Sequence, residues 1–431
     1  MSAKKFLSGV IEGFYGPPWS QAERAQLFER MHAWGLNTYV YAPKDDLRHR
    51  TLWRETYDAA EAEKLAANLR ACRERGIAFV FALSPGLDLR YGDATEADTI
   101  RRRFEQLLAL GCEHFALLFD DIPDRLASPA AAQSALANTI FRWLRERAPA
   151  ASLAFCPTPY CGRMAARGVG GASYLETIGR ELAAEIDVFW TGPEIVSREI
   201  TAKHARELAA VLRRPPLIWD NLHANDYDGR RFFVGPYASR PPALRGEVRG
   251  LLVNPNCEFP LNFVPLRTLA EFVRAADWDA RAAYLAALRE WWPQFAAAGT
   301  GAPFAWEDFV LFCDCYYLPH DDGAEAAKFF QDLCAALSAR PAEAMRQRVV
   351  RLRDFCARLA DLRDRALFHA LGRRAWELRE ELDLLERGLA SPERAVASDS
   401  HLPGTSRGGC VPRRQRLLAP RADGTFAPNP P

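Results

Sequence analysis

Short apolar runs rich in β-branched and aromatic residues alternate along the first 280 positions with longer amphipathic stretches. That rhythm predicts the strands of a parallel sheet joined by helical crossovers. Eight such runs stand out: Phe6 to Glu12, Thr38 to Ala42, Ile77 to Leu83, His114 to Phe119, Ser152 to Cys156, Asp187 to Trp190, Leu217 to Trp219 and Gly250 to Val253. Helix signals lie between most of them. Ser20 with Glu23, and Asp58 with Glu61, each read as a capping box that satisfies orphan backbone donors at a helix start. Glu96 to Leu110 and Ala202 to Leu212 show helical apolar spacing, whereas the last connection holds only Pro242 to Arg249.

Eight strand–helix repeats, with no glycine-rich dinucleotide loop after the first strand, predict an α/β protein with a (β/α)8 TIM-like barrel over residues 1–280. Beyond it the strand signal stops. Arg281 to Trp292, Trp306 to Leu318, Ala324 to Leu337, Pro341 to Leu362 and Ala366 to Leu389 all read as helices, an all-α stalk domain over 281–390. Residues 391–431 carry seven prolines, four glycines and six arginines against three acidic residues, and are expected to be a disordered tail.

Composition narrows the chemistry. The 431 residues are 49% hydrophobic and 26% charged, with Lys+Arg 56 against Asp+Glu 55, a formal net charge of +1. No bulk charge points to nucleic acid, and no apolar run is long enough for a membrane span. Ten scattered cysteines show no zinc-clamp or disulfide-framework spacing, and the amino terminus lacks the apolar core of a signal peptide. A reducing cytoplasm is the expected location.

In such a barrel the reactive residues belong at the carboxyl ends of the strands. Those ends read Glu12-Gly-Phe-Tyr15, Tyr41-Ala-Pro-Lys-Asp-Asp46, Ser84-Pro-Gly86, Asp120-Asp121, Cys156-Pro-Thr-Pro-Tyr160, Trp190-Thr-Gly-Pro193, Trp219-Asp-Asn-Leu-His-Ala-Asn-Asp226 and Asn254-Pro-Asn256. Aromatic faces, amides, carboxylates and one lysine, without clustered histidines, make a sugar pocket rather than a metal or phosphate site. Trp190 and Trp219 are both expected to face it. Lys44 beside Asp45-Asp46 argues against a metal, and His223 reads as a structural residue.

Asp120-Asp121 is the sharpest feature. Two adjacent carboxylates are expected to raise one another's pKa, poising a general acid beside a base. Successive strand side chains point to opposite faces, so both can serve one pocket only if the backbone is distorted there.

The motifs Gly9-Val-Ile-Glu-Gly-Phe-Tyr-Gly16, Tyr41 to Asp46, Phe115-Ala-Leu-Leu-Phe-Asp-Asp121, Phe155-Cys-Pro-Thr-Pro-Tyr-Cys-Gly162, Trp190 to Pro193, Trp219 to Asp228 and Asn254-Pro-Asn-Cys-Glu-Phe259 resemble glycoside hydrolase family 84. Trp306-Glu-Asp-Phe and Tyr316-Tyr-Leu-Pro-His320 extend the resemblance into that family's helical stalk. The long acidic insertion and acetyltransferase-like domain of its animal members are not matched, a compactness that looks bacterial.

The resemblance implies a retaining exo-β-N-acetylglucosaminidase without a cofactor, in which the substrate's acetamido oxygen is the nucleophile and an oxazoline the intermediate. Asp120 would accept the acetamide N–H, and Asp121 would protonate the glycosidic oxygen and then activate water. Tyr160 would bond the acetamido oxygen, with Cys156, Thr191 and Trp219 around the methyl group. The Gly13 carbonyl, Lys44, Asn221, Asp226 and Asn254 would hold the ring hydroxyls. By the same resemblance the stalk mediates a homodimer and borders a cleft for an extended peptide bearing O-linked GlcNAc on Ser or Thr. Two alternatives stay open: a hexosaminidase for free, cell-wall-derived or hyaluronan-like GlcNAc glycosides, and a catalytically silent GlcNAc-binding protein.

Overall fold

The computed structural model describes residues 5–122, 130–167, 171–338 and 342–390, together with 396–397, 418–420, 422 and 425–428. Eight parallel strands close into a barrel in sequence order: β1 (Leu7–Glu12), β2 (Thr38–Tyr41), β3 (Ala78–Leu83), β4 (His114–Leu118), β5 (Ser152–Cys156), β6 (Asp187–Trp190), β7 (Leu217–Asp220) and β8 (Gly250–Val253). β8 returns to β1 with Leu7 opposite Gly250 and Val10 opposite Val253, so no edge is left for intermolecular pairing.

The helices between them start and stop where local chemistry dictates. Both capping boxes form, Ser20 with Glu23 at the start of α1 (Gln21–Trp34) and Asp58 with Glu61 at the start of α2 (Ala59–Glu74). Gly35 ends α1 in the left-handed conformation at φ 74°, which a residue without Cβ adopts freely. α3 (Ala94–Ala109), α4 (Ala130–Arg147), α5 (Gly162–Arg167), α6 (Gly171–Glu181), α7 (Ala202–Leu212) and, after β8, α8 (Phe263–Phe272) continue the alternation. The weak last connection proves to be one 3-10 turn, Pro242–Gly246.

Strand alternation sorts the side chains into an interior and an outer layer. Ile11, Val40, Ala82, Ala116, Leu118, Ala154, Cys156, Phe189, Leu217, Trp219 and Leu252 pack together inside the barrel. The small residues of β3 to β5 leave room there for the Trp219 indole. Their neighbours face the helices, and two of these outward residues are buried acids. Glu12 receives Arg24 through Nε at 2.9 Å and Nη2 at 2.6 Å and also accepts the Tyr39 hydroxyl. Asp220 accepts Arg240 Nε and Nη2 at 2.8 Å each and the Tyr237 hydroxyl at 2.9 Å.

The chain divides into two compact units. The first holds the barrel, Met1–Asp226, Tyr237–Cys257 and Leu269–Trp278. The second takes Tyr227–Pro236, Glu258–Thr268 and everything from Asp279 onward. It contains α9 (Ala280–Trp291), α10 (Trp306–Cys315), α11 (Ala324–Ser338), α12 (Glu343–Arg358) and α13 (Arg365–Ala390) around a core that includes Trp291, Phe309, Phe312, Phe355, Leu371, Leu378 and Leu385. The segment Tyr227–Pro236 belongs to that core: Phe232 stacks on Tyr316 with ring centroids 4.0 Å apart. Most of the tail expected to be disordered lies outside the described residues. Its described parts include three short strands, Val396–Ala397, Leu418–Pro420 and Thr425–Pro428, paired antiparallel with the last in the middle.

The Asp220–Arg240 pair is fully buried, so removing one partner strands the other charge in a dry environment. Asp220→Ala is expected to cost about 3–5 kcal/mol, measured by urea denaturation. A loss below about 1 kcal/mol would place the pair among ion pairs without net weight.

Candidate active site

β4 delivers Asp120 and Asp121 to the barrel mouth, and the chain distorts there as the strand alternation requires. Asp121 adopts φ 52°, one of three described non-glycine residues in the left-handed region. This turn sends the two carboxylates to different partners. Asp120 is 6% exposed, and its Oδ2 takes the Lys44 ammonium at 2.5 Å. No donor among the described residues reaches its buried Oδ1. Asp121 is exposed, accepting the Tyr160 hydroxyl on Oδ1 at 2.7 Å and the Tyr15 hydroxyl on Oδ2 at 3.0 Å.

The electrostatics of Asp120 are not those of a mutually repelling pair. Burial pushes the Asp120 carboxyl upward, but Lys44, with weaker help from Arg50 and His49, outweighs it and holds the group below the usual carboxylate range. The raised carboxyl in this neighbourhood is Asp226, lifted by burial first and by the charge of Asp121. His49, fully buried, is pushed down to about 4 by burial and then by Lys44, so its imidazole is neutral at physiological pH.

The other sequence-predicted residues converge on this pair. Lys44 lies 5.7 Å from the Trp219 ring centroid, and a Cβ on Gly13 would come within 2.5 Å of the same indole, so only glycine lets the β1 end pass. Cys156, Tyr160 and Trp219 belong to one packed cluster. The Cys156 thiol, 2% exposed, is driven well above its ordinary value by burial and by Asp120, which makes it a neutral wall. Thr191 is tied to the same wall, its N–H donating to the Tyr160 carbonyl at 2.9 Å and its hydroxyl to the Glu194 carbonyl at 2.8 Å.

Two amides follow from the ends of β7 and β8. Asn254 Nδ2 donates to Asn221 Oδ1 at 3.0 Å while Asn221 Nδ2 donates to the Ile195 carbonyl at 2.8 Å. Asn254 Oδ1 is buried with no donor among the described residues. Asp226 accepts the Tyr15 N–H at 2.9 Å, which links it to Asp121 through one residue.

One expectation about which residues face the pocket changes. Trp190 does not face the pocket: it points outward from β6, is 2% exposed, and donates Nε1 to His204 Nε2 at 2.9 Å. The parity of a four-residue strand puts Phe189 inside instead. Tyr15 and Arg50 are residues to which the sequence attached no role. Tyr15 stands in the Gly9–Gly16 motif, a usable signal. Arg50 lies in an ordinary charged loop, Leu47-Arg-His-Arg50, and offers none. Among the described residues no group of three or more His, Cys, Asp or Glu could hold a metal ion, and no helix is long and apolar enough to cross a membrane.

A closed (β/α)8 barrel whose strand ends gather paired carboxylates, a lysine, two amides and an indole belongs to the class of carbohydrate-active barrels. The chain is a member of the beta-N-acetylglucosaminidase (NAGidase) family, glycoside hydrolase family 84, whose model matches residues 8–299. It is 46% identical over 281 residues to the protein O-GlcNAcases of Rattus norvegicus and Mus musculus, covering 63% of this chain but 30% of each relative. Among solved structures it is similar to a mutant O-GlcNAc hydrolase of Thermobaculum terrenum, with TM-score 0.77, 28% identity, and 89% of this chain and 83% of that one covered. A structure titled CpGH84B shares the fold at TM-score 0.75 and 22% identity, over 89% of this chain and 68% of that chain.

Because Lys44 overrides burial, its loss should free Asp120 to rise. In Lys44→Met the Asp120 carboxyl, followed by 13C NMR titration, is expected to move above the ordinary value of about 3.9. The pair's stabilising contribution is present above that unfolded-state value and lost as pH falls through the lower folded-state one. The variant should therefore be less stable than the parent at neutral pH, with the gap closing in acid.

Proposed function

We propose that the chain is a retaining exo-β-N-acetylglucosaminidase that removes O-linked GlcNAc from Ser and Thr of proteins by substrate-assisted catalysis. One observation carries the reading: Asp120 keeps one oxygen on Lys44 and a second, buried, with no donor among the described residues. A fixed anion with one open acceptor suits an N–H that grows more acidic as its amide oxygen attacks. The identity to protein O-GlcNAcases across the barrel points the same way.

In this reading the acetamido oxygen attacks C1 as the C1–O bond breaks, and Asp121 gives its proton to the leaving oxygen. Asp120 accepts the acetamide N–H and stabilises the positive charge of the oxazolinium ion. Asp121 then deprotonates water, which attacks C1 from the vacated face and reopens the ring, so two inversions leave the β configuration. Tyr160, bonded to Asp121 in this structure, would turn to the acetamido oxygen, with Cys156, Thr191 and Trp219 enclosing the methyl group. The Gly13 carbonyl, Lys44, Asn221, Asp226 and Asn254 would hold the ring hydroxyls; Asp226 offers two acceptor oxygens, and Asn254 Oδ1 is already without a donor. Binding of that kind penalises sugars lacking the matching hydroxyl.

Cytoplasmic residence and a homodimer through the helices belong to the same reading. The first is supported by nine described cysteines that are all free, the second by Trp376, 46% exposed on α13.

Asp121→Asn should cost about 100-fold or more on glycosides with poor leaving groups and far less on activated aryl glycosides. Asp120→Asn should be severe on both, because the nucleophile is common to them. Steady-state kinetics on the two substrate types reads this directly, and equal losses in Asp121→Asn would remove it from leaving-group protonation. For the aglycone, kcat/KM on a GlcNAc-bearing Ser/Thr peptide is expected to exceed that on a chitobiose-type oligosaccharide. The reverse order would favour oligosaccharide substrates, and no turnover of any GlcNAc glycoside would leave a silent sugar-binding protein.

A further inference from the structure

Arg50 is a cation placed where burial disfavours one. It is 7% exposed, and among the described residues no carboxylate lies within ion-pair distance of it. Its partner is instead the main chain of the acid pair: Nη2 donates to the Asp121 carbonyl at 3.0 Å. Its guanidinium sits 5.9 Å from the centroid of the Tyr15 ring, whose hydroxyl donates to Asp121 Oδ2. One planar group thus touches the backbone of Asp121 directly and its carboxylate through Tyr15.

The arm that carries Arg50 is fastened at the residue just before it. The His49 imidazole bonds the Ala82 carbonyl through Nδ1 at 2.8 Å, and the Ser84 N–H donates to the His49 carbonyl at 2.9 Å. These bonds fix the loop after β2 to the carboxyl end of β3, next to β4. Arg50 is therefore presented from a loop anchored to the end of β3, as a group that must locate another within a fraction of an ångström needs to be.

The geometry of Asp121 creates the need. A left-handed φ is disfavoured for any residue with a Cβ and persists only when neighbours over-determine it. An extended conformation at 121 would turn the carboxylate away from Tyr15 and Tyr160.

We infer that Arg50 is a positioning residue for the reaction: it holds Asp121 in its left-handed conformation and, through the Tyr15 ring, aims the Asp121 carboxylate at the leaving-group oxygen. This rests on the proposed role of Asp121 as acid and base. Lysine keeps the charge but loses the planar fork that reaches a carbonyl and lies on a ring at once. Arg50→Lys consequently separates positioning from net charge, and Arg50→Met removes both.

The test is steady-state kinetics of the full chain on an activated aryl β-GlcNAc glycoside and on methyl β-GlcNAc, with melting temperature recorded for every variant. In Arg50→Lys, kcat on the methyl glycoside is expected to fall about 10- to 100-fold, as a misplaced catalytic group costs. KM should change by less than about 2-fold, with only a small loss on the aryl glycoside. Adding Asp121→Asn to Arg50→Lys should cost no more than Asp121→Asn alone, since both act through one group. Arg50→Met should repeat the leaving-group pattern if it folds; if it does not, Arg50→Lys carries the test. Equal losses of Arg50→Lys on the two substrates, or losses that multiply with Asp121→Asn, would overturn the positioning role. Failure of the parent enzyme to cleave the aryl glycoside would instead overturn the hydrolase reading on which it rests.

Discussion

A carboxylate at the floor of a barrel mouth stays ionised only beside a cation, and Lys44 is that cation for Asp120. The bond joins residues 76 apart in sequence, so the site exists only once the first four strands are in register. Much of the surrounding design follows from this pair. The lysine is hemmed by the Trp219 indole, the indole by the glycine at position 13, and the interior opposite is made of alanines so that a bulky ring fits among eight strands. A second cation, Arg50, lowers the same carboxyl from further away. The Asp120 carboxyl is thus held by cations from elsewhere in the barrel rather than raised by its neighbour.

Two neighbouring aspartates acquire separate environments through one backbone angle. Regular alternation would send Asp120 and Asp121 to opposite faces of β4. The left-handed turn at 121 keeps both at the mouth but makes one buried and the other exposed. That is the separation a reaction with one electrostatic carboxylate and one proton-transferring carboxylate requires. It is achieved with tyrosine hydroxyls from the segments after β1 and β5 and a guanidinium from the loop after β2, so a local distortion is stabilised by distant parts of the barrel.

What could be read from the chain alone follows the range of the forces involved. Strand ends, both capping boxes and the weak β7–β8 connection are written in short windows, and the eight strands fall within a residue or two of their apolar runs. The distortion at Asp121 was also legible, because alternation and the demand that two neighbours share a pocket contradict each other. Trp190 was misplaced because strand parity cannot be fixed from a four-residue run flanked by polar turns. The direction of the Asp120 shift, expected upward and found downward, escaped the sequence for a different reason: the dominant influence, Lys44, is contiguous only in space. Arg50 left no trace, since a buried guanidinium bonded to a carbonyl looks in sequence like any charged loop residue.

The balance of charge at the mouth bears on what the pocket favours. Asp120 is held ionised by Lys44 and Arg50, with His49 neutral and the Cys156 thiol kept protonated by its burial. A neutral sugar gains little from such a field in its ground state. A ring that develops positive charge at C1 and at an acetamido nitrogen gains much more, because the nearest groups able to approach it are carboxylates already oriented by fixed donors. The cations are spent on those carboxylates or on the main chain behind them: Lys44 on Asp120, Arg50 on the Asp121 carbonyl. Preorganisation here consists in using positive groups to place acidic ones.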